Sequence, residues 1–395
     1  MIENVYYISP RDVRKNRSDA VHIMMCCQAL AEKNIKVKLV TPTIVRSEYE
    51  IKFEDINALY NIKTKFEIIE LPTNIIEKDA IKDTFINMSF QKLLHFTKFY
   101  YSNRKNFRSK ETVILSQCFI SSVPYIFLKK LGLVSSRLTF MAAAIKKNSR
   151  LHKFVYKNSD IVVTGLKYTA ADIIKYTGTD AKKFTPTPLI FLSNSSIPNE
   201  DLAKEECRKI AGFSFDKKYI IYAGKTGEGI KSVDYFIECA KRLPQFNFVI
   251  VGANNEAFKS YNERITNESI LNLEIKPFMP FKDYNHFVRA ADLLVDYYSA
   301  TYYNTYYLGP GKSASYFSSK NPVIFSDLPS LRHLFPEEIV YFVKPDNISI
   351  LVGKIIYVLA NKAEADDKAE RAFQYARKHS FQYTMGRIVD FIQQN

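Results

Sequence analysis

Two lysines, Lys225 and Lys231, stand six residues apart across a glycine-bearing turn in the stretch YIIYAGKTGEGIKSVDYF, residues 219–236. An apolar, strand-like segment leads into Gly224, and a helical pattern follows Lys231. Glycines permit positive φ and close backbone approach, and the free amides at a helix start favour an anion. Both lysines could therefore point at one diphosphate. The plain alternative is two solvated cations beside a flexible turn. A nucleoside-triphosphate loop fits poorly, because its first glycine would fall on Tyr219, inside the strand.

The elements that must hold such a turn alternate along the whole chain. NVYYIS, AVHIMMCCQALAEK and KVKLVTP read as strand, helix and strand, joined at first by the polar loop PRDVRKNRSD. FEIIELP, TVILSQ, RLTFMA and DIVVTG are further strands, and SFQKLLHFTKFYYSNRKNF is helical. The Pro-, Ser- and Asn-rich KKFTPTPLIFLSNSSIPNE reads as a linker. A second alternation then runs through KYIIYAG, SVDYFIECAKRL, FNFVIVG, LEIKPF, DYNHFVRAA, DLLVDYY, KSASYFSSK and PVIFSD. The pattern implies an α/β protein of two Rossmann-like doubly wound domains, 1–193 and 194–375, facing a central cleft. Ligands of open parallel sheets lie beyond the carboxyl ends of the strands, so the candidate segments are 9–19, 223–231, 252–256 and 304–313.

Composition agrees with two packed cores. The 395 residues are 47% apolar and 25% charged, with 26 Tyr and 29 Phe, which argues against disorder. The N-terminus has no signal-peptide pattern, and no run approaches the roughly 18 uncharged apolar residues of a membrane span. Five cysteines show neither a CxxC pair nor zinc-ligand spacing, so a reducing cytoplasm and no metal are expected. The net charge of +15 is uneven: residues 1–195 carry 31 Lys and Arg against 17 Asp and Glu, while 196–395 carry 25 against 24. Lys129, Lys130, Lys146, Lys147 and Arg150 make a basic cluster suited to an anionic membrane surface or an acidic glycan, with a solvated lysine-rich surface as the alternative. No RNP, helix-turn-helix or zinc pattern supports nucleic acid as a partner.

Residues 219–252 resemble the nucleotide-binding half of GT-B fold glycosyltransferases of family 4 (glycosyl transferases group 1), in which a glycine and basic residue after a strand are followed six residues later by lysine. The resemblance implies that Lys225 and Lys231 hold the donor diphosphate beside Gly224, and that the backbone near Phe278 and Met279 meets the base. PGKSASYFSSKNPVIFSDLP resembles the family's later donor segment, so Gly311, Lys312, Ser313 and Ser315 are also donor-binding candidates. Ser315 stands where the family's ribose-holding Glu is usual, Lys320 where Gly is usual, and Tyr307 where many relatives carry another Glu. RKNRSDAVHIMMCCQALAEK resembles the acceptor domain of one subgroup. Asn16, Arg17, Ser18 and His22 are accordingly acceptor-binding candidates, with His22 a catalytic candidate beside Lys225 and Lys231. RLTFMAAAIKK has Met141 and no histidine where many relatives place one. The chain end, 376–395, resembles helices that return to the first domain.

The resemblance implies a metal-independent, retaining hexosyl- or related transferase needing no cofactor beyond its nucleotide-sugar donor. Its acceptor would be a glycan or lipid-linked glycan in bacterial surface polysaccharide synthesis, on the inner face of a membrane. A non-catalytic GT-B partner subunit or glycan-binding scaffold is the alternative from another class. A sugar epimerase fits less well, because the His/Glu/Asp set expected for proton transfer at a sugar carbon is absent.

Overall fold

Continuous apolar runs such as TVILS and YIIYA have no polar face to offer water, so each requires cover on both sides. Both form central strands of parallel sheets layered with helices. The computed structural model describes residues 1–10, 12–14, 18–45, 56–76, 83–143, 146–192, 203–224, 226 and 231–395, with backbone alone at 18, 44–45, 73–76, 83–89 and 231. The chain divides into two units: Met1–Ala58, Ile62–Leu189 and Phe381–Asn395 in one, Leu59–Asn61 and Ile190–Ser380 in the other.

The first unit runs β1 (Asn4–Ile8), α1 (Ser18–Ala31), β2 (Lys36–Val45), α2 (Ile56–Leu59), β3 (Glu67–Ile76), α3 (Asp83–Ser102), β4 (Thr112–Ser116), α4 (Phe119–Lys130), β5 (Arg137–Ala142), α5 (Arg150–Asn158), β6 (Ile161–Thr164) and α6 (Lys167–Thr177). Its strands are all parallel, in the order β3-β2-β1-β4-β5-β6. Apolar residues surround α1, and Met24, Cys26, Cys27, Ala29 and Leu30 have no exposed surface. A helix of that kind needs two partners. In the first unit α1 packs against α16 (Phe381–Gln394), the last helix of the chain, and Gln382 donates to Glu32. The helix predicted through SFQKLLHFTKFYYSNRKNF stops at Ser102, and a short 3-10 turn at Asn106–Arg108 then sends Phe107 into the core. There Tyr100 and Phe107 meet Tyr125 edge to face at 5.3 and 5.9 Å.

The second unit contains α7 (Lys204–Ala211), β7 (Tyr219–Ala223), α8 (Lys231–Arg242), β8 (Asn247–Ala253), α9 (Asn255–Asn267), β9 (Leu273–Pro277), α10 (Phe281–Ala290), β10 (Leu293–Asp296), α11 (Tyr302–Tyr307), α12 (Ser313–Ser318), β11 (Val323–Ser326), α13 (Pro329–Leu334), β12 (Tyr341–Val343), α14 (Ile348–Ala360) and α15 (Lys362–Lys378). The order β12-β11-β10-β7-β8-β9 repeats the winding of the first sheet. Two doubly wound units are thus present, as the alternation of strand and helix signals predicts. Lys320, between α12 and β11, has φ +54°, the left-handed conformation that favours glycine. Its ammonium reaches α15, over the Phe373 ring at 4.2 Å and 3.5 Å from Glu370, which holds lysine in a turn better suited to glycine.

Ile388 of α16 has no exposed surface. Ile388→Ala should therefore cost about 2–5 kcal/mol, and Gln393→Ala, on the exposed side, under about 0.5 kcal/mol. Urea unfolding followed by circular dichroism compares them, and equal midpoints would refute the buried role of α16.

Candidate functional site

A doubly wound sheet opens a crevice where its strand order reverses, which in the second unit lies between β7 and β10. The strand β10 reads LLVD and ends on Asp296, which is wholly buried. A carboxylate so placed requires a cation and hydrogen bonds. Lys312 supplies the cation, with Nζ 2.9 Å from Oδ1, and the Tyr298 hydroxyl donates to Oδ2 at 2.8 Å. The same ammonium sits 4.0 Å from the centre of the Tyr222 ring. Burial acts against the charged lysine, but Asp296 and the Tyr222 oxygen outweigh it and hold the Lys312 pKa above the ordinary value. Burial also raises the Asp296 carboxyl against the pull of the ammonium. The ion pair is the state this geometry favours.

This pair supports the turn that follows β7. A Cβ on Gly224 would stand 2.7 Å from the Lys312 ammonium, so only glycine leaves the lysine its place. Tyr316 of α12 accepts from the Ala223 amide at 2.9 Å and donates to the Ala223 carbonyl at 3.2 Å, and the Tyr284 hydroxyl donates to that carbonyl at 3.3 Å. Gly252, at the end of β8 with φ +104°, approaches the turn so closely that a Cβ there would lie 3.0 Å from the Gly224 carbonyl oxygen. Next to it, the Phe278 amide donates to the Ala253 carbonyl at 2.7 Å. The carboxyl ends of β7, β8, β9 and β10 are thereby tied together.

Several candidate donor residues meet at this place. Gly224 touches Lys312, and Ser313 and Ser315 are buried on α12, where the Ser313 hydroxyl donates to the Pro310 carbonyl at 2.6 Å. Gly311 is exposed beside them, Phe278 is 52% exposed and Met279 is partly covered. Lys231 begins α8, placing the free amides of that helix after the turn, while Lys225 lies outside the described residues. Thr226 in the turn is buried, and its hydroxyl has no hydrogen-bond partner among the described residues. Asp296, Tyr222, Tyr284 and Tyr298 were not singled out from sequence. The signal available was a charged residue closing the apolar run of β10.

In the first unit, Asn16 and Arg17 lie outside the described residues, and Ser18 begins α1. His22, one turn into α1, is half-buried, with Nε2 3.5 Å from Cys26 Sγ and its ring 5.6 Å from that of Phe381. Burial lowers its pKa to about 4, so the imidazole is neutral at neutral pH. Met141, at the position where many relatives carry a histidine, accepts from the Tyr7 hydroxyl through its sulfur at 3.3 Å, and the Gln117 amide donates to the same hydroxyl at 2.7 Å. Among the described residues no group of three or more His, Cys, Asp or Glu is placed to hold a metal ion.

Residues 232–390 match the profile of a family described as glycosyl transferase-like. No protein of curated function matches the chain significantly. Among solved structures, a glycosyltransferase from Rickettsia africae superposes with a TM-score of 0.73 at 12% identity, over 100% of this chain and 98% of its own. Sucrose-phosphate synthase from Thermosynechococcus elongatus gives 0.73 at 13%, over 99% and 98%. Anabaena HepE, in complex with UDP and glucose, gives 0.68 at 10%, over 100% of both chains. These likenesses show the fold to be GT-B, two Rossmann-like domains.

Lys312→Met would leave the Asp296 carboxylate buried without its cation, at a cost of about 3–5 kcal/mol. Adding Asp296→Asn should restore part of that loss in urea unfolding, and an unchanged midpoint for Lys312→Met would remove the pair from its structural role. His22 binds its proton more weakly folded than unfolded, so the stability tied to it is complete above its ordinary pKa of 6.5 and falls as the pH drops toward 4. His22→Gln should flatten that decline between pH 6.5 and 4, and an identical slope would show that another group carries it.

Proposed function

We propose that the chain is a retaining glycosyltransferase of family 4 that moves a sugar from a nucleotide donor to a glycan or lipid-linked acceptor. The observation carrying this proposal is Gly224 set over the Lys312–Asp296 pair at the β7/β10 switch point, with helix α8 beginning seven residues later at Lys231. A departing diphosphate gathers negative charge as its bond to the anomeric carbon breaks. Cations and helix amides fixed beforehand at that position stabilise the charge at little reorganisation cost. Lys225 and Lys231 have this role in the proposal, with the α8 amides beside them. Lys312, already paired with Asp296, positions the turn rather than supplying an uncommitted charge.

A UDP-sugar is the donor to test first, because the HepE structure holds UDP and glucose. Phe278, half-exposed at the end of β9, offers an aromatic face to a base. His22, neutral and at the start of α1, serves the acceptor side together with Asn16, Arg17 and Ser18. The sequence has no DxD motif in a post-strand loop, which supports transfer without a resident metal. In this reading the enzyme works in surface polysaccharide synthesis at the cytoplasmic face of a membrane.

Two positions favour a second reading, a GT-B scaffold that binds glycan without transfer. Ser315 brings one hydroxyl where a carboxylate would grip two ribose oxygens, and Met141 is tied to Tyr7 where a histidine is usual.

A panel of nucleotide sugars with nucleotide release as readout decides between them. The enzyme should release one nucleotide preferentially, and Lys225→Ala and Lys231→Ala should each lower turnover by about 10²-fold. Wild-type turnover in both variants would refute the clamp. No release from any donor, with no calorimetric nucleotide binding, would leave the scaffold.

A further inference from the structure

Helix α3 turns the wrong residues to solvent for an ordinary surface helix. Its inward face packs Phe96, Phe99 and Tyr100 into the core of the first unit. Its outward positions 90, 94, 97, 98 and 101 follow helical spacing and include Phe90, Leu94 and Tyr101, which are 63%, 58% and 52% exposed. The neighbouring α4 adds Phe127 at 54%, and Leu131, just past its end, at 71%. On α5, which packs beside α4, Phe154 stacks on Phe127 at 5.7 Å between ring centres. Large side chains this exposed, on the adjoining helices α3 and α4 and flanked by the partly covered Phe154 of α5, form a patch that needs a partner.

The charge around the patch identifies the partner. Helices α3, α4 and α5 together carry seven Lys and Arg, with Asp83 their sole acidic residue. Lys129 is taken by Asp160, while Lys98, Lys130, Lys153 and Lys157 are exposed. Two cations lie on the apolar groups themselves: the Lys130 ammonium 5.2 Å from the Phe154 ring centre, and the Arg104 guanidinium 4.4 Å from that of Tyr101. Aromatic and aliphatic tips flanked by long cationic side chains suit the boundary between acyl chains and acidic headgroups. An acidic polysaccharide in water would engage the lysines and gain nothing from the aliphatic tips of Leu94 and Leu131.

We infer that the α3–α4–α5 face of the first unit docks on an anionic lipid bilayer, with Leu94, Tyr101, Phe127 and Leu131 entering the headgroup layer and Lys98, Lys130, Lys153 and Lys157 meeting lipid phosphates. No described helix is long and apolar enough to cross a membrane, so the contact is peripheral. It deepens the proposed placement at a membrane face, on which it rests, and uses none of the donor residues.

Cosedimentation of the full chain with phosphatidylcholine vesicles, with and without phosphatidylglycerol, tests the surface. Binding should require the acidic lipid and weaken with salt. Lys130→Glu combined with Lys153→Glu should lower the partition by about 30-fold or more, at about fivefold for each lysine near the surface. Lys259→Glu with Lys362→Glu, on exposed positions of the second unit, should bind as the wild type does. The chain contains no tryptophan, so Leu131→Trp gives a single reporter whose emission should shift blue and be quenched by brominated lipid. Absence of binding to acidic vesicles, equal weakening by both charge-reversal pairs, an unquenched reporter, or binding to soluble acidic polysaccharide alone would each overturn the inference. Nucleotide release in vesicle-free solution reads the proposed transfer separately, so the two can fail independently.

Discussion

The Asp296–Lys312 ion pair is the contact on which the architecture of the second unit's candidate site rests. It joins the end of β10 to the entrance of α12, and its ammonium occupies the space that the missing side chain of Gly224 leaves open. Tyr222, Tyr284, Tyr298 and Tyr316 close around it, and two of their hydroxyls bond the last residue of β7. The turn after β7 is therefore fixed from below by charge and by phenol oxygens.

A related arrangement holds the opposite end of β10. Asp292 receives Arg208 of α7 and the Tyr219 amide at 2.9 Å, so β7 and β10 are tied at both ends by aspartates. The two strands flanking the switch point thus have little freedom to slide. In the first unit Glu3 and Glu111 precede the corresponding strands β1 and β4, and past the carboxyl end of β1 the buried Asp12 is paired with Arg14. There the Tyr7 hydroxyl, Gln117 and Met141 form a neutral network beside a histidine that burial keeps unprotonated.

Most of the fold was legible because buried parallel strands and two-sided helices leave unmistakable apolar runs, as in TVILS, YIIYA and LLVD. The turn at Gly224 was legible for a similar reason, since a glycine between strand and helix has few other uses. What the sequence left hidden was partnership. Lys312 stands in a motif that suggests a substrate contact, and only the fold brings Asp296, sixteen residues away, beneath it. Lys320 occupies a left-handed position without being glycine because Phe373 and Glu370, some fifty residues on, hold its side chain. The outward apolar stripe of α3 read simply as helix, because periodicity shows that two faces differ and does not show which faces the core.

The form of the anchor also bears on whether the site is a relic. A buried ion pair is a poor stabilising device, since well-packed apolar residues of similar volume often do as well or better. A fold that had kept only its shape could replace Asp296 and Lys312 at no loss. What the pair supplies and an apolar contact cannot is a defined position: a charge set against one oxygen, in the space that Gly224 leaves open, with a hydroxyl on the second oxygen. That is a geometric demand on the turn leading to Lys225 and Lys231, and positioned cations are what a departing diphosphate requires. In the proposed transfer, Ser315 would offer a donor ribose a weaker grip than a carboxylate, and it lies outside this anchor. On that proposal, Ser315 would alter how tightly a donor is held more than whether its leaving group can be met by charge.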